Sequence, residues 1–148
     1  MINAIAFTVP GEPQGKGRPR IGKVGAHARM FTPAKTVAYE GLVAHAAQLA
    51  MRGAPLLEDP VRLELDVLCS VPASWSQKKQ AQAIRGELRP AKKPDADNVL
   101  KAICDGMNGV VWKDDVQAVD VLVRKVYAET PGVRVRVAAL DLRAPVLV

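Results

Sequence analysis

Residues 93–107 read KPDADNVLKAICDGM, and their pattern predicts an amphipathic helix that begins among acidic side chains. Apolar residues recur at helical spacing: Val99, Leu100, Ile103, Cys104 and Met107. Pro94 suits the start of a helix, and Asp95 or Asp97 could cap the free backbone amides of its first turn. Asp97, Lys101 and Asp105 lie four residues apart and therefore share the polar face of the helix.

Acidic residues are concentrated around this helix. A pair, Asp114 and Asp115, follows it, so that six acids fall between Asp95 and Asp120 in a chain that is basic overall. Ionised carboxylates that gather in one place repel one another, and a bound divalent cation removes that conflict. Oxygen ligands suit Mg²⁺ or Mn²⁺. Helix capping would account for any single acid, but the group together with Lys101 favours a metal site.

Length and composition are those of one globular domain. The 148 residues can bury a sizeable core, and no apolar run is long enough to span a membrane. The N-terminus shows no signal-peptide pattern. Cys69 and Cys104 lie in apolar contexts without metal-ligand spacing, so a reduced, cytoplasmic protein is expected.

The net charge of +6 is unevenly distributed. Residues 11–30 carry a net +4 and residues 76–93 carry a net +5, so the remainder of the chain is acidic. Lysine and arginine bind the phosphate backbone of nucleic acids, and a metal can act on one phosphate. Basic segments on both sides of an acidic centre are therefore what a metal-dependent nuclease requires, although solvated loops can carry the same charge.

The remaining pattern predicts an α+β fold. Alternating apolar residues indicate strands over 5–9, 61–67, 119–127 and 133–137, with the last two expected to form an antiparallel hairpin. The glycine-rich segment 11–29 is expected to be a mobile loop. We expect a single domain over residues 1–148, with a mixed or mainly antiparallel sheet and helices packed on one face.

Two further helices are expected. One begins at Thr32 and Pro33, with Thr32 as its cap, and ends at Gly53. The other begins at the capping-box sequence 74–77, SWSQ, and ends near Gly86. Trp75 in this sequence could stack on a base, but anchoring its own helix to the core is the favoured interpretation.

Two segments together resemble the RusA family of Holliday junction resolvases. They are residues 93–101 with Asp105, and residues 112–117, WKDDVQ. Residues 15–20, GKGRPR, and the sequence around Trp75 resemble the phage and prophage branch of that family. The resemblance implies a homodimeric, Mg²⁺-dependent endonuclease, with Mn²⁺ as a possible substitute. Such an enzyme resolves four-way DNA junctions by paired nicks in recombination and repair.

The resemblance also implies roles for individual residues. Three carboxylates would be the catalytic metal ligands: Asp95, Asp97 and Asp115. Lys101 would be the essential lysine of the helix. Asp115 is preferred to Asp114 because it is the second acid of its pair, and Asp114 and Asp105 remain possible additional ligands. Six basic residues are expected to contact the branched DNA: Lys16, Arg18, Arg20, Lys23, Lys92 and Lys93.

Three other kinds of protein could contain acidic and basic residues of this kind. A phosphatase of the haloacid dehalogenase type needs its first aspartate at the end of a buried strand, and residues 89–94 do not form one. An EF-hand calcium site does not fit either, because the sequence has no glycine at the position where the EF-hand loop requires one. A protein that binds DNA junctions without cutting them stays an alternative, because it would have the same charge pattern.

Overall fold

The computed structural model describes residues 4–25 and 27–140. The strands within these residues are β1 (Ala4–Pro10), β2 (Arg20–Val24), β3 (His27–Phe31), β4 (Val61–Ser70), β5 (Ala118–Ala128) and β6 (Gly132–Ala139). One mixed sheet has the strand order β1-β6-β4-β5, and β2 and β3 form a separate ribbon. The helices are α1 (Ala34–Met51), α2 (Gln77–Ile84) and α3 (Ala96–Met107). The α+β prediction with a mixed sheet is confirmed.

The core lies between one face of the sheet and helices α1 and α3. On β4 the alternate residues Val61, Leu63, Leu65 and Val67 are buried, whereas Arg62 on the opposite face is exposed. Burial of a leucine side chain stabilises the fold by about 1.5–3 kcal/mol. The sequence alternation therefore places the helices on one face of the sheet, as predicted.

The predicted hairpin between the last two strands is wrong. Strand β5 pairs in parallel with β4, whereas β6 pairs with the other edge of β4 in antiparallel orientation, so that Leu65 lies opposite both Val123 and Val135. The short connection between β5 and β6 therefore passes across the end of β4. Strand β4 buries more of its residues than β5 does, and a place between two strands also satisfies the hydrogen bonds on both its edges.

The glycine-rich segment is more regular than its composition predicted. Strand β2 and the first residues of β3 lie within the segment 11–29, which was expected to be a mobile loop, and the two strands pair antiparallel with Ile21 opposite Met30. Gly25 has a φ of +64°, a conformation that other residues rarely adopt, and it follows β2 directly. Here glycine permits the turn of a ribbon rather than preventing regular structure.

Two predicted helix caps are also wrong. Pro33, not Thr32, is the N-cap of α1, and the Pro33 carbonyl accepts hydrogen bonds from the amides of Thr36 and Val37. In α2 the hydroxyl of Ser76, rather than that of Ser74 in the predicted capping box, accepts a hydrogen bond from the Lys79 amide.

Trp75 packs edge-on against Tyr127 of β5, with ring centroids 5.4 Å apart. This contact favours an anchoring role for Trp75, as the sequence suggested. No helix in residues 4–25 and 27–140 has the length and apolar character needed to cross a membrane.

Candidate active site

Two carboxylates lie at the start of helix α3, and neither forms an ion pair with any residue that the structure describes. Asp95 occupies the N-cap position, but its side chain makes no capping hydrogen bond, and Asp97 lies in the first turn. Both residues are exposed. The opposite face of the helix is fixed in the core by Val99, Ile103 and Met107. The Asp95 carboxylate therefore remains available for a ligand at the protein surface.

The acidic pair after α3 is divided between two roles. Asp114 caps the short 3-10 helix Asp115–Gln117, since its Oδ1 accepts a hydrogen bond of 3.4 Å from the Val116 amide. The side chain of Gln117 accepts from the Asp114 amide and donates to the Leu57 carbonyl, which ties this turn to the rest of the domain. Asp115 instead lies with its Oδ2 3.9 Å from the Lys101 ammonium. Of the two acids, Asp115 is therefore the one whose carboxylate lies beside Lys101.

Lys101 lies between two carboxylates. Its Nζ donates a 3.1 Å hydrogen bond to Asp105 Oδ1, in addition to the longer contact with Asp115. The hydrogen bond to Asp105 raises the pKa of Lys101, so the ammonium stays charged at neutral pH. Partial burial and the hydrogen bond with Asp114 raise the pKa of Asp115, against the opposing effect of Lys101. A cation beside Asp115 would favour its ionised form.

The predicted ligands do not converge on one point. Among residues 4–25 and 27–140, no group of three or more histidine, cysteine, aspartate or glutamate side chains is placed to hold a metal ion. Asp95 and Asp97 lie at the start of α3, whereas Asp115 faces Lys101 one turn further along. The chemistry of these donors nevertheless fits a hard divalent cation, because all three are carboxylates and repulsion opposes their convergence without one.

A basic groove of about 680 Å³ adjoins Asp95. Its walls are the segment 13–19, which we call the arm, the start of α1, and residues 93–98. Arg18, Lys35 and Lys93 line it, and in the described part of the chain none of the three forms an ion pair. No sequence pattern pointed to Lys35, because it is the single lysine or arginine of α1 and lies outside both basic segments.

The other predicted DNA contacts are distributed differently. Lys23 is exposed on the ribbon of β2 and β3, and the side chain of Arg20 lies outside the described part of the structure. The ammonium of Lys92 lies 5.7 Å from the centre of the Tyr127 ring, toward the β5 edge of the sheet. Lys16 is half-buried and forms ion pairs with Glu40 and Asp105. Arg18, Lys93 and Lys16 therefore all line the groove, but the Lys16 ammonium is paired with two carboxylates.

A family model and a relative each match most of this chain. The family model described as endodeoxyribonuclease RusA matches residues 10–138, a span that includes the arm, α3 and the acidic pair. The uncharacterized protein YqaN of Bacillus subtilis (strain 168) is 38% identical over 138 residues, which cover 92% of this chain and 96% of that protein.

Proposed function

We propose, because this chain belongs to the RusA family of endodeoxyribonucleases, that it is a Mg²⁺-dependent enzyme resolving four-way DNA junctions. It would act as a homodimer that hydrolyses one phosphodiester bond in each of two strands, in DNA recombination and repair. The observation that carries the proposal is the position of Lys101. Its ammonium is hydrogen-bonded to Asp105 and lies 3.9 Å from Asp115, on the helix that begins at the free Asp95 carboxylate.

Asp95, Asp97 and Asp115 would hold the cation, and Mn²⁺ could replace Mg²⁺. When bound, the cation would polarise the scissile phosphate and lower the pKa of a water molecule. Asp95 and Asp97 are exposed and Asp95 is free of capping, so both can turn toward a ligand. Asp114 is committed to its local cap, which leaves Asp115 as the acid of its pair that can reach the site.

Lys101 would stabilise the negative charge that develops on the phosphate, or orient the attacking water. A lysine is protonated at neutral pH, and the hydrogen bond to Asp105 raises the pKa of Lys101 further, so Lys101 supplies a compact positive charge next to the carboxylates. Groups held in place before the reaction contribute most to transition-state stabilisation, since they need no reorganisation as the charge develops.

The basic groove would bind the backbone of the strand to be cut. Arg18, Lys35 and Lys93 lie on its walls beside Asp95. Phosphate contacts fix the position of a duplex without reading its bases. Such contacts suit an enzyme that recognises the shape of a junction. A four-way junction presents two equivalent strands, and a two-fold symmetric dimer would place one groove on each.

The proposal is tested with a synthetic four-way junction labelled on each strand in turn. We expect symmetrical nicks in two opposing strands with Mg²⁺ or Mn²⁺, no nicks with a chelator, and little cutting of a linear duplex with the same sequence. The Asp97→Asn variant is the control for a contaminating nuclease, since it should bind the junction and fail to cut it. If the wild-type protein binds junctions but does not cut them with either metal, the protein is a non-catalytic junction binder.

A further inference from the structure

Five charged side chains of alternating sign connect the arm to the proposed site. They come from α1, the arm, α3 and the turn after α3, and in spatial order they are Glu40, Lys16, Asp105, Lys101 and Asp115. Asp105 lies at the centre. Its Oδ2 is 3.0 Å from the Lys16 ammonium, and its Oδ1 accepts the hydrogen bond of 3.1 Å from Lys101.

The members of this network differ in exposure. The side chains of Lys16 and Asp105 are 24% and 18% exposed, whereas that of Lys101 is 57% exposed. An exposed lysine that pairs with an acid four residues away gains little from the pair alone, because side-chain entropy and solvent oppose it. Lys16 pairs with the second oxygen of Asp105, so the Asp105 carboxylate is held in place better than that of an ordinary surface acid.

Backbone hydrogen bonds and two closely packed glycines hold the arm so that Lys16 lies beside Asp105. The Lys16 amide donates to the Asn98 carbonyl and the Gly17 amide donates to the Thr36 hydroxyl, both at 3.0 Å. A Cβ atom on Gly15 would lie 2.9 Å from Asn98 Cβ, and one on Gly17 would lie 2.5 Å from Thr36 Oγ1. The two glycines on either side of Lys16 therefore allow the arm to approach α3 and α1 closely.

We infer that Lys16 and Asp105 are positioning residues that aim the Lys101 ammonium toward Asp115, and that Lys16 does not bind DNA. This inference rests on the proposed nuclease function. Lys16 and Arg18 both line the groove, but Lys16 pairs with two carboxylates, whereas Arg18 forms no ion pair in the described part of the chain. One cation of the arm, Lys16, therefore positions the site, and the next, Arg18, contacts the DNA.

The test separates the rate of the cut from the affinity for DNA. Single-turnover cleavage of a four-way junction is measured at saturating enzyme, and Kd is measured over a range of salt concentrations. For Lys16→Met we expect the rate to fall on the order of 10- to 100-fold, as for a small misplacement of a catalytic group, with Kd and its salt dependence nearly unchanged. The matched variant Arg18→Met should weaken binding and flatten the salt dependence, with a nearly normal rate at saturation.

A double-mutant cycle shows whether Lys16 acts through Lys101. In a Lys101→Ala background, Lys16→Met should cause little further loss of rate, because its target is already absent. Asp105→Asn attacks the same network from the other side and should give the same pattern, so the test survives if Lys16→Met folds poorly in a thermal melt.

Three results would overturn the inference. One is a Lys16→Met protein that cuts at the wild-type rate. Another is a Lys16→Met protein that loses affinity and salt dependence as Arg18→Met does, which would place Lys16 on the DNA. The third is a full additional loss in the Lys101→Ala background. A wild-type protein that does not cut junctions at all would instead overturn the proposed function, so the two failures are distinct.

Discussion

The crossing of α1 and α3 at Gly106 fixes the distance between the two helices that hold the charged network. A Cβ atom at Gly106 would lie 2.7 Å from both Cβ and Cγ1 of Val43 and 3.0 Å from the Glu40 carbonyl oxygen. Val43 is fully buried, and the carbonyl belongs to the backbone of α1, so neither can turn aside easily. Gly106→Ala should therefore push the helices apart.

The size of the effect follows from two opposing contributions. Alanine in place of glycine favours a helix by about 1 kcal/mol, whereas overpacking of a core costs about 1–3 kcal/mol. Because one of the close contacts is to backbone, we expect the upper part of that range and a net loss of about 1–2 kcal/mol. The corresponding fall in Tm is about 2–8 °C for a domain of this size.

Gly41→Ala is the matched control. Gly41 lies on α1, and a Cβ atom there would meet nothing within 4 Å, so only the helix-forming contribution applies. The control should raise the free energy of unfolding in urea by about 1 kcal/mol. If Gly106→Ala proves as stable as Gly41→Ala, the helices do not cross as closely as described, and Glu40 would lose its fixed place beside Lys16.

Three further predictions concern charge and thiol chemistry. Lys35→Ala should weaken junction binding and reduce the slope of log Kd against log salt concentration by about 0.9, and an unchanged slope would remove Lys35 from the DNA interface. Although burial opposes the shift, hydrogen bonds from Lys16 and Lys101 lower the pKa of Asp105. The carboxylate therefore stabilises the fold above its unfolded pKa, and urea titrations should show wild type losing its advantage over Asp105→Asn as the pH falls below about 4. Burial raises the pKa of Cys104 to about 12 and also raises that of Cys69, so both thiols should react with a thiol reagent far more slowly in the native protein than in denaturant.

The sequence-based predictions that succeeded rest on apolar patterns within a single helix or strand. The apolar spacing of residues 99–107 located α3, and strict alternation located β4 with its buried face. Each of these two elements packs against one continuous core, so the apolar pattern of its own residues is enough to predict it. The structure places Asp115 beside Lys101, and the catalytic roles expected of both residues stay predictions.

The predictions that failed depended on contacts between distant parts of the chain. Nothing within β5 and β6 indicates that β4 will lie between them, because alternation describes a strand's faces and not its neighbours. The contact of Lys16 with DNA stays a prediction, but its basic run did not indicate the ion pairs that Lys16 forms. Its partner Glu40 is 24 residues away, and only the docking of the arm brings them together. Lys35 was missed because one lysine in a helix is ordinarily a solvated surface residue.

The most direct test of the proposed chemistry compares two neighbouring acids. Asp115→Asn and Asp114→Asn change the charge equally, and asparagine at position 114 can still cap the 3-10 helix. Single-turnover cleavage of a four-way junction is measured for both across a range of Mg²⁺ concentrations. We expect Asp115→Asn to lose cleavage while it still binds the junction, and Asp114→Asn to cut at close to the wild-type rate. Normal cutting by Asp115→Asn, or equal loss in both variants, would contradict the proposed site.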